Sequence, residues 1–572
     1  MPRLQITFGM ERARMLPLGT NAESLSFPAG VEIPYAGEVP LPPNVRPVII
    51  LSGSDYEMGY QFYQQLIQIF GPWILERVAD EKFIGNELKI KNAYEQYIKQ
   101  HAPEFTEMFK GMAQGASAAG VSLSYDEILA HFVRRKTPKI RPPTDCSSFA
   151  AWGTATKNGQ LICLGSTDHE VTFEVTLIGF PQTGNNFITS PFRPTEFGWL
   201  GGHPGMNNKG LAYVHHGATH WIRSKPEEQW TEGITEGLAN LHTLRFANNA
   251  AAAKDMQLAY PSGDGFAGGF WADIQGNAYI IESRENPRAV RRPGDYGERD
   301  FIYSTNNALG KELAHCQNPP PQGNVYVPHG GWLGTGATIS SVPRNLGLWN
   351  MLHNYHGQVD LAFAKMVSRF PGKPPAYPTL EEADAAYYKT QGKGWDTKMC
   401  DLENALVGIM LPHDGNEGLY YVSHGCPARI AYPLLPYGHY YRIAPTYSYY
   451  QLKLASNPQE VGKAAKDRAQ YELYYANQEL RKLSYSDHAY APLDKLFNEA
   501  AIEWHKGLYY EDRVEGGRAE GNQGVYMWSK TLRAYTRCQA LAKQVHNSLV
   551  PPATQPEDLG LKPWGFWDED KK

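Results

Sequence analysis

The spacing of apolar residues changes twice along the chain, and each change marks a stretch with a different expected architecture. Between residues 46 and 135 the pattern is mainly helical. A short β-branched run, Val45 to Leu51, leads into Gly53-Ser54-Asp55-Tyr56-Glu57-Met58-Gly59, where Ser54 or Asp55 can cap a helix carrying Leu66, Ile67 and Phe70. A second helix is predicted from Ala102 to about Ala119, with Phe105, Met108, Phe109, Met112 and Ala113 on one face. From Cys146 the period shortens to that of strands. Phe149 to Trp152 and Leu161 to Leu164 flank Lys157-Asn158-Gly159-Gln160, and Asn-Gly between apolar runs is a strong hairpin signal. Cys146 thus begins the first strand of a hairpin and Asp168 follows the second. Similar units occur at Trp271 to Ile274 and Ala278 to Glu282 around Gln275-Gly276-Asn277, and at Gly210 to Val214 after Asn207-Asn208. Antiparallel sheet is expected from 146 to about 430, with helical patches near 231–258 (Leu238, Leu241, Leu244, Ala247) and 344–354. The third stretch is helical again. Asn457-Pro458-Gln459-Glu460 supplies an N-cap, a proline at N1 and a glutamate at N3 ahead of Ala469, Leu473, Ala476, Leu480 and Leu483, and a further helix is expected over about 525–547.

Two segments lack any such period. Residues 1 to 45 are rich in proline and glycine and read as an irregular arm. Arg134-Arg135-Lys136-Thr137-Pro138-Lys139-Ile140-Arg141-Pro142-Pro143 is a basic, proline-punctuated linker that cannot hold a helix or an interior strand and is expected to be exposed. No internal repeat is evident, and Trp564 to Lys572 reads as an acidic tail.

Composition agrees with an ordered globular protein. The 572 residues are 42% hydrophobic and 20% charged, with 35 Tyr and 13 Trp. A formal charge of −5, from 54 basic and 59 acidic residues interleaved along the chain, offers no basic stripe for nucleic acid. No apolar run reaches the roughly 20 residues that span a bilayer, and the N-terminus lacks the apolar stretch of a signal peptide. A cytoplasmic location is expected, with neither nucleic acid nor membrane as partner, and a homo-oligomer is left open. The six cysteines (146, 163, 316, 400, 426 and 538) are scattered, with no C-x-x-C pair, so reduced thiols are the default.

Cys146 stands where the linker ends and a strand begins, and a cysteine there can become a new N-terminus. Cleavage of the Asp145-Cys146 bond would free an α-amine, with a reference pKa of about 7.7 to 8.0, on the same residue as the thiol. Nucleophile and base would then share one residue. Residue type alone favours a buried, inert thiol.

The stretch Cys146-Ser147-Ser148-Phe149-Ala150-Ala151-Trp152-Gly153, with Asn158-Gly159 and Gly165-Ser166-Thr167-Asp168, resembles the mature start of the penicillin acyltransferase family, cysteine N-terminal-nucleophile (Ntn) hydrolases related to acid ceramidase and choloylglycine hydrolases. Leu51 to Gly59 and Phe109 to Gly115 resemble segments of that family's pro-region. Gly205 to Leu211, Tyr279 to Glu282, Ser304 to Asn307, Ser341 to Arg344 and Val422 to Pro427 follow in the family's order, so the likeness spans about 46 to 430. It implies an α+β fold, a four-layer αββα sandwich of antiparallel sheets, with a helical N-terminal pro-region (1–145), a catalytic core (146–435) and a helical C-terminal extension (436–572).

The resemblance also assigns roles. Cys146 would be the nucleophile and form a thioester; Asp168 would orient its α-amine; Asn306 would donate to the oxyanion; Arg344 would supply fixed positive charge near the thiol. Further oxyanion or substrate contacts would come from His216, Gly217, Asn307 and Glu282, and processing would fall between Asp145 and Cys146. The expected substrate is a small-molecule amide, linear or cyclic, with no cofactor and no metal. Two departures stand out. The family usually reads Gly-Arg-Asn-x-Asp where this chain reads Gly165-Ser166-Thr167-Asp168 after Leu164, so the arginine is absent, with Arg193 or Arg284 as substitutes; and Asp145 replaces the usual glycine before the nucleophile.

Other readings are weaker. Asp168, His169 and Glu170 with His215, His216 and His220 could be read as metal ligands, but their spacing is not that of a helical His pair, and His215 and His216 would point to opposite faces of a strand. A non-catalytic binding protein on the same scaffold would tolerate loss of Cys146. Acyl transfer to an amine is the alternative to hydrolysis, and the chain shows no Gly-rich phosphate cradle for an acyl-coenzyme donor. Phe192, Phe197, Trp199 and Trp221 suggest an apolar acyl pocket or ordinary core packing.

Overall fold

The computed structural model describes residues 45–79, 87–133, 145–168, 175–191, 200–216, 234–260, 268–283, 288–316, 325–333, 338–368, 404–423, 435–437, 440–442, 449–487 and 489–549. Among them are twelve α-helices and eighteen strands. The arm (1–44), the linker (134–144) and the acidic tail lie outside the described residues.

In chain order the strands are β1 (Val48–Gly53), β2 (Asp145–Gly153), β3 (Gly159–Asp168), β4 (Thr176–Pro181), β5 (Phe187–Pro191), β6 (Gly202–Asn207), β7 (Leu211–His216), β8 (Gly268–Asp273), β9 (Ala278–Ser283), β10 (Arg288–Arg291), β11 (Phe301–Ser304), β12 (Val325–Val327), β13 (Gly331–Leu333), β14 (Asn404–Leu411), β15 (Leu419–Ser423), β16 (Leu435–Tyr437), β17 (Tyr440–Arg442) and β18 (Tyr450–Lys453). They form an eight-stranded sheet, β1-β4-β5-β6-β7-β8-β9-β10, a six-stranded sheet, β11-β2-β3-β14-β15-β18, and two two-stranded ribbons. The expected hairpins form. β2 and β3 pair around Asn158-Gly159, and β8 and β9 pair around a turn in which Asp273 Oδ1 accepts from Gln275 and Asn277 backbone N–H groups.

Alternation along the strands sends one set of apolar side chains between the sheets and the other outward. Ala150, Trp152, Leu161 and Cys163 meet Met206, Ala212, Val214, Phe270 and Ala272 across the gap. On the outer side of the eight-stranded sheet, Leu177, Phe187, Leu211, Tyr213 and Trp271 pack under the helices Asp55–Phe70, Glu104–Ala118 and Glu236–Phe246. On the outer side of the six-stranded sheet, Phe149, Ala151, Ile162, Leu164, Val407 and Ile409 pack under Thr338–Asn354 and Leu361–Ser368.

The first helix starts as expected, and two helical patches differ from expectation. Ser54 is the cap of the first, in a reciprocal capping box with Glu57. That helix crosses Glu104–Ala118 backbone to backbone: a Cβ on Gly111 would fall 1.9 Å from Tyr56 O, and one on Gly59 2.0 Å from Met108 O. The patch at 231–258 is two helices, Glu236–Phe246 and Ala250–Ala259, with Asn249 capping the second. The patch at 344–354 begins earlier, at Thr338, with Pro343 inside the helix, so Arg344 is a buried mid-helix residue.

The N- and C-terminal regions both enter the sheets. β1 pairs with β4 in parallel, the one parallel pairing within the sheets of the described residues, where only antiparallel strands were expected. Arg46 fastens it, donating to the carbonyls of Val175 (3.0 Å) and Pro191 (2.8 Å). β18 forms the edge of the other sheet beside β15. Three helices follow: Pro458–Leu480, capped by Asn457 as its sequence predicts, Tyr490–Glu515, and Gly521–Leu549. The last runs along both edges, with Ser529 Oγ accepting from Ile50 N (2.9 Å) and Gln539 Oε1 from Gln451 N (2.5 Å). No helix among the described residues is long and apolar enough to cross a membrane.

Candidate active site

Strand alternation decides what surrounds Cys146. Ser147, Phe149 and Ala151 occupy the outer face of β2, so Ser147 faces the helix Thr338–Asn354; Cys146, Ser148, Ala150 and Trp152 occupy the face turned to the other sheet. β11 lies antiparallel to β2 with Ser304 opposite Ser148. Continuing that register by two residues brings Asn306 to Cys146. The Cys146 backbone N–H donates to Asn306 Oδ1 at 2.5 Å.

Arg344 completes the junction from the helix. Its guanidinium, 1% exposed, donates through Nη1 to the Cys146 carbonyl and to Ser147 Oγ (2.8 Å), and through Nη2 to Asn306 Oδ1 (3.1 Å) and Ser341 Oγ (3.2 Å). Two donors therefore meet on Asn306 Oδ1. They fix the orientation of the carboxamide.

A second tier holds these groups. Thr305 Oγ1 lies 3.0 Å from the Ser341 carbonyl and 3.1 Å from Asn307 Oδ1, and Asn307 and Asn345 both donate to the Gly330 carbonyl (2.9 and 3.1 Å). Asn307 thus lies in the framework behind Asn306. Glu282 is placed in a buried ion pair with Arg291 (3.1 Å), and its carboxylate also accepts from the backbone N–H groups of Leu309 (3.0 Å) and Gly310 (2.7 Å). It pins the turn that carries Asn306 and Asn307. Burial pushes its carboxyl up, opposed by Arg291 and the two amides.

On the inter-sheet face the polar groups are hydroxyls and imidazoles. Ser148 Oγ lies 2.6 Å from His216 Nε2, and Thr167, opposite Cys146 in the hairpin, places Oγ1 3.1 Å from His203 Nδ1. Burial above all, with His203 and Arg344 nearby, holds His216 well below the ordinary imidazole pKa, the Ser304 carbonyl opposing. His215 points the other way, onto the Glu236 carboxylate. The two histidines therefore diverge, and no group of three or more potential ligands for a metal ion occurs among the described residues.

Asp168 ends β3, its backbone opposite Asp145 and Asn404. Gly217, His169, Glu170, His220, Arg193, Arg284, Phe192, Phe197, Trp199 and Trp221 lie outside the described residues. At Gly165, where the resemblance led an arginine to be expected, packing leaves little room for a side chain. A Cβ built on Gly165 would fall 3.0 Å from both Val214 methyls and 3.3 Å from Pro204 Cβ, and one on its neighbour in register, Gly408, 2.5 Å from Pro204 Cγ. Pro204 fills the groove between the two glycines, and an arginine there would force the sheets apart. Sequence reasoning singled out neither Ser147 nor Ser341; the hydroxyl three residues before Arg344 on one helix was the signal available.

No family model matches the sequence. A curated protein of Archaeoglobus fulgidus, described as uncharacterized, is 27% identical over 196 residues, which are 30% of this chain and 32% of that protein; the chain thus spans about a third of the relative's length. Similar solved structures include a variant of the conjugated bile acid hydrolase from Clostridium perfringens (12% identity, TM-score 0.29, 49% of this chain and 89% of that one). Another is the penicillin V acylase from Agrobacterium tumefaciens (11% identity, TM-score 0.24, 49% and 83%). At these values the likeness fixes neither activity nor substrate.

Proposed function

We propose that the protein is a self-processing amidohydrolase of the N-terminal-nucleophile type, with αββα layers, in which Cys146 attacks a small N-acyl amide. The observation that carries this reading is the convergence of three residues distant in sequence: Asn306 on the Cys146 N–H, and Arg344 on both the Cys146 carbonyl and Asn306. In an apolar sheet-and-helix core, a buried cation and an oriented carboxamide converging on one thiol-bearing residue suit nucleophilic catalysis better than packing.

Processing begins with the Cys146 thiol attacking the Asp145 carbonyl carbon. The C–S bond forms, the C–N bond breaks, and the thiol proton ends on the departing nitrogen, which becomes the α-amine. Water then hydrolyses the thioester and frees the thiol. In turnover that amine takes the thiol proton, the thiolate attacks the substrate carbonyl, and the amine product leaves with the proton before water releases the acid. Asp168, opposite Asp145 in the hairpin, would orient the α-amine. Arg344 would favour the thiolate, and Asn306 would donate to the oxyanion, a contact typically worth about 3 to 4 kcal/mol.

Intact-mass analysis of the purified chain tests this. Fragments of about 16 and 48 kDa, in proportion to chain length within the 64.0 kDa total, are expected for the wild type and a single species for Cys146→Ala. A panel of N-acyl amides scored for amine release then separates hydrolysis from acyl transfer, because added amines divert the acyl group only in the second. Amine release that survives Cys146→Ala would end the reading.

A further inference from the structure

Self-cleavage needs a temporary acceptor for the Cys146 thiol proton. In the intact chain the Cys146 nitrogen is an amide and gains basicity only after the thiol has added, so the amine that serves turnover is not yet available. Resting on the reading above, we infer that Thr167 and His203 carry this proton during processing: the Thr167 hydroxyl contacts the thiol, and His203 is the base behind it.

Thr167 is the residue paired with Cys146 across the hairpin. Directly opposite residues of antiparallel strands share a face, with Cβ atoms about 4.5 to 5.5 Å apart. That face is the inter-sheet one, because Thr167 Oγ1 crosses to β6 and lies 3.1 Å from His203 Nδ1 and 3.2 Å from the His203 carbonyl. All three residues are buried. With the ring proton on Nε2, His203 Nδ1 accepts from the Thr167 hydroxyl, whose oxygen keeps lone pairs for the thiol S–H. Farther in, the His203 ring meets that of His215 edge to face at a centroid distance of 4.5 Å, and His215 is held on the buried carboxylate of Glu236. An imidazolium at His203 therefore forms one ring away from that carboxylate, in a site of low dielectric. His216, reached through Ser148, is the poorer base. Ser148 stands two residues along the strand from Cys146, about 6.6 Å, and burial, reinforced by His203 and Arg344, holds His216 well below the ordinary imidazole range. As the thiol proton passes to Thr167 Oγ1, the hydroxyl proton passes to His203 Nδ1, and the thiolate adds to the Asp145 carbonyl carbon. When the C–N bond breaks, the same path returns one proton to the departing nitrogen, and His203 is neutral again. The new α-amine then takes over as base.

Thr167→Val removes the hydroxyl at nearly constant volume, Thr167→Ser restores it, and His203→Gln keeps a polar side chain that is not a base. Full-length chains made by pulse-labelled cell-free translation would be followed from whole chain to fragments. Turnover per cleaved chain would be measured with N-acyl amides of 7-amino-4-methylcoumarin, acetyl to palmitoyl; with none of these turned over, the cleavage rates alone decide. Thermal melts of the same substitutions in the Cys146→Ala background, which cannot cleave, report folding. Thr167→Val and His203→Gln are expected to cleave about 10²-fold more slowly than wild type, the low end of what a general base contributes, and Thr167→Ser within about 5-fold. Turnover per cleaved chain should fall about 10-fold less than cleavage, because the α-amine is then the base. The inference is overturned if Thr167→Val or His203→Gln cleaves within about 3-fold of wild type, if Thr167→Ser is as slow as Thr167→Val, or if cleavage and turnover fall together. A wild-type chain that stays whole would instead remove the self-processing reading, and this one with it.

Discussion

Cys146 and Cys163 sit on one hairpin, on the same inter-sheet face, 3% and 0% exposed. Cys163 is paired with Ala150, four rungs from Cys146, or about 13 Å along the strand. Yet their surroundings have nothing in common. Cys163 is enclosed by apolar side chains of both sheets, and burial pushes its thiol well above the usual range. Around Cys146, Asn306 just beyond β11 and Arg344 within the helix Thr338–Asn354 reach its own backbone. Chemical character here follows position in the fold and not residue type: the middle of the hairpin is core, and its end is where a carboxamide and a buried cation converge.

The comparison breaks at its strongest point if the two thiols prove interchangeable. Cys146→Ala is expected to abolish both self-cleavage and amide turnover, whereas Cys163→Ala leaves both intact, as read by intact mass and amine release. Arg344→Lys comes next. Lysine keeps the charge but not the planar fork that reaches Cys146, Ser147, Asn306 and Ser341 together, so the cleavage rate should fall by about 10²-fold, about 2.7 kcal/mol in barrier. A loss under 5-fold would show that charge alone suffices.

Local signals carried much of this architecture. Asn158-Gly159 gave the hairpin that orients Cys146, and Asn457-Pro458 gave a helix start observed to the residue, because turns and caps are satisfied within a few positions. The helix Tyr490–Glu515 was illegible. Its buried stripe reads Leu493, Leu496, Ala500, Glu503, Gly507, Glu511, with two carboxylates and a glycine where apolar residues would announce a core face. Glu511 is satisfied by Tyr535 and Lys466, and Gly507 lies where a Cβ would meet the Tyr535 ring at 2.3 Å. Both features depend on neighbouring helices that a one-dimensional pattern does not contain. At the site, Cys146, Asn306 and Arg344 were nameable from motifs. What joins them is not: the register of β11 against β2 brings Asn306 to the cysteine, and Ser147 and Ser341 become partners of Arg344 only once the helix starts at Thr338.

Gly165 sharpens the contrast from the packing side. An arginine at this position would not improve the site, because Val214 and Pro204 already fill the space. Gly165→Ala should cost about 1 to 3 kcal/mol and Gly165→Arg more, measured by denaturant unfolding in the Cys146→Ala background. A neutral Gly165→Arg would mean that the sheets part easily at this end.

His216 supplies a smaller, pH-dependent difference between the two ends. It faces Ser148, the Ser304 carbonyl, His203 and Arg344, and its folded pKa lies well below the ordinary 6.5. Below pH 6.5 the unfolded chain binds a proton that the folded chain refuses, so this contribution is complete above 6.5 and declines as the pH falls toward the folded pKa. The slope is at most about 1.4 kcal/mol per pH unit. Unfolding at pH 7.5, 6.0 and 5.0 should show it, and His216→Gln should remove it; an unchanged slope would place the acid sensitivity elsewhere.

The smallest effect belongs to Cys163 itself. Replacing its sulfur by hydrogen leaves a gap among Ala150, Leu161, Val214 and Met410, whose contacts are apolar, so Cys163→Ala should cost about 1 kcal/mol, the range of a small core truncation. Because no polar partner is stranded, the loss should appear in the unfolding midpoint alone, with self-cleavage at the wild-type rate. If cleavage slowed as well, packing at the middle of the hairpin would be setting the geometry at its end, and the two thiols would belong to one mechanical unit after all.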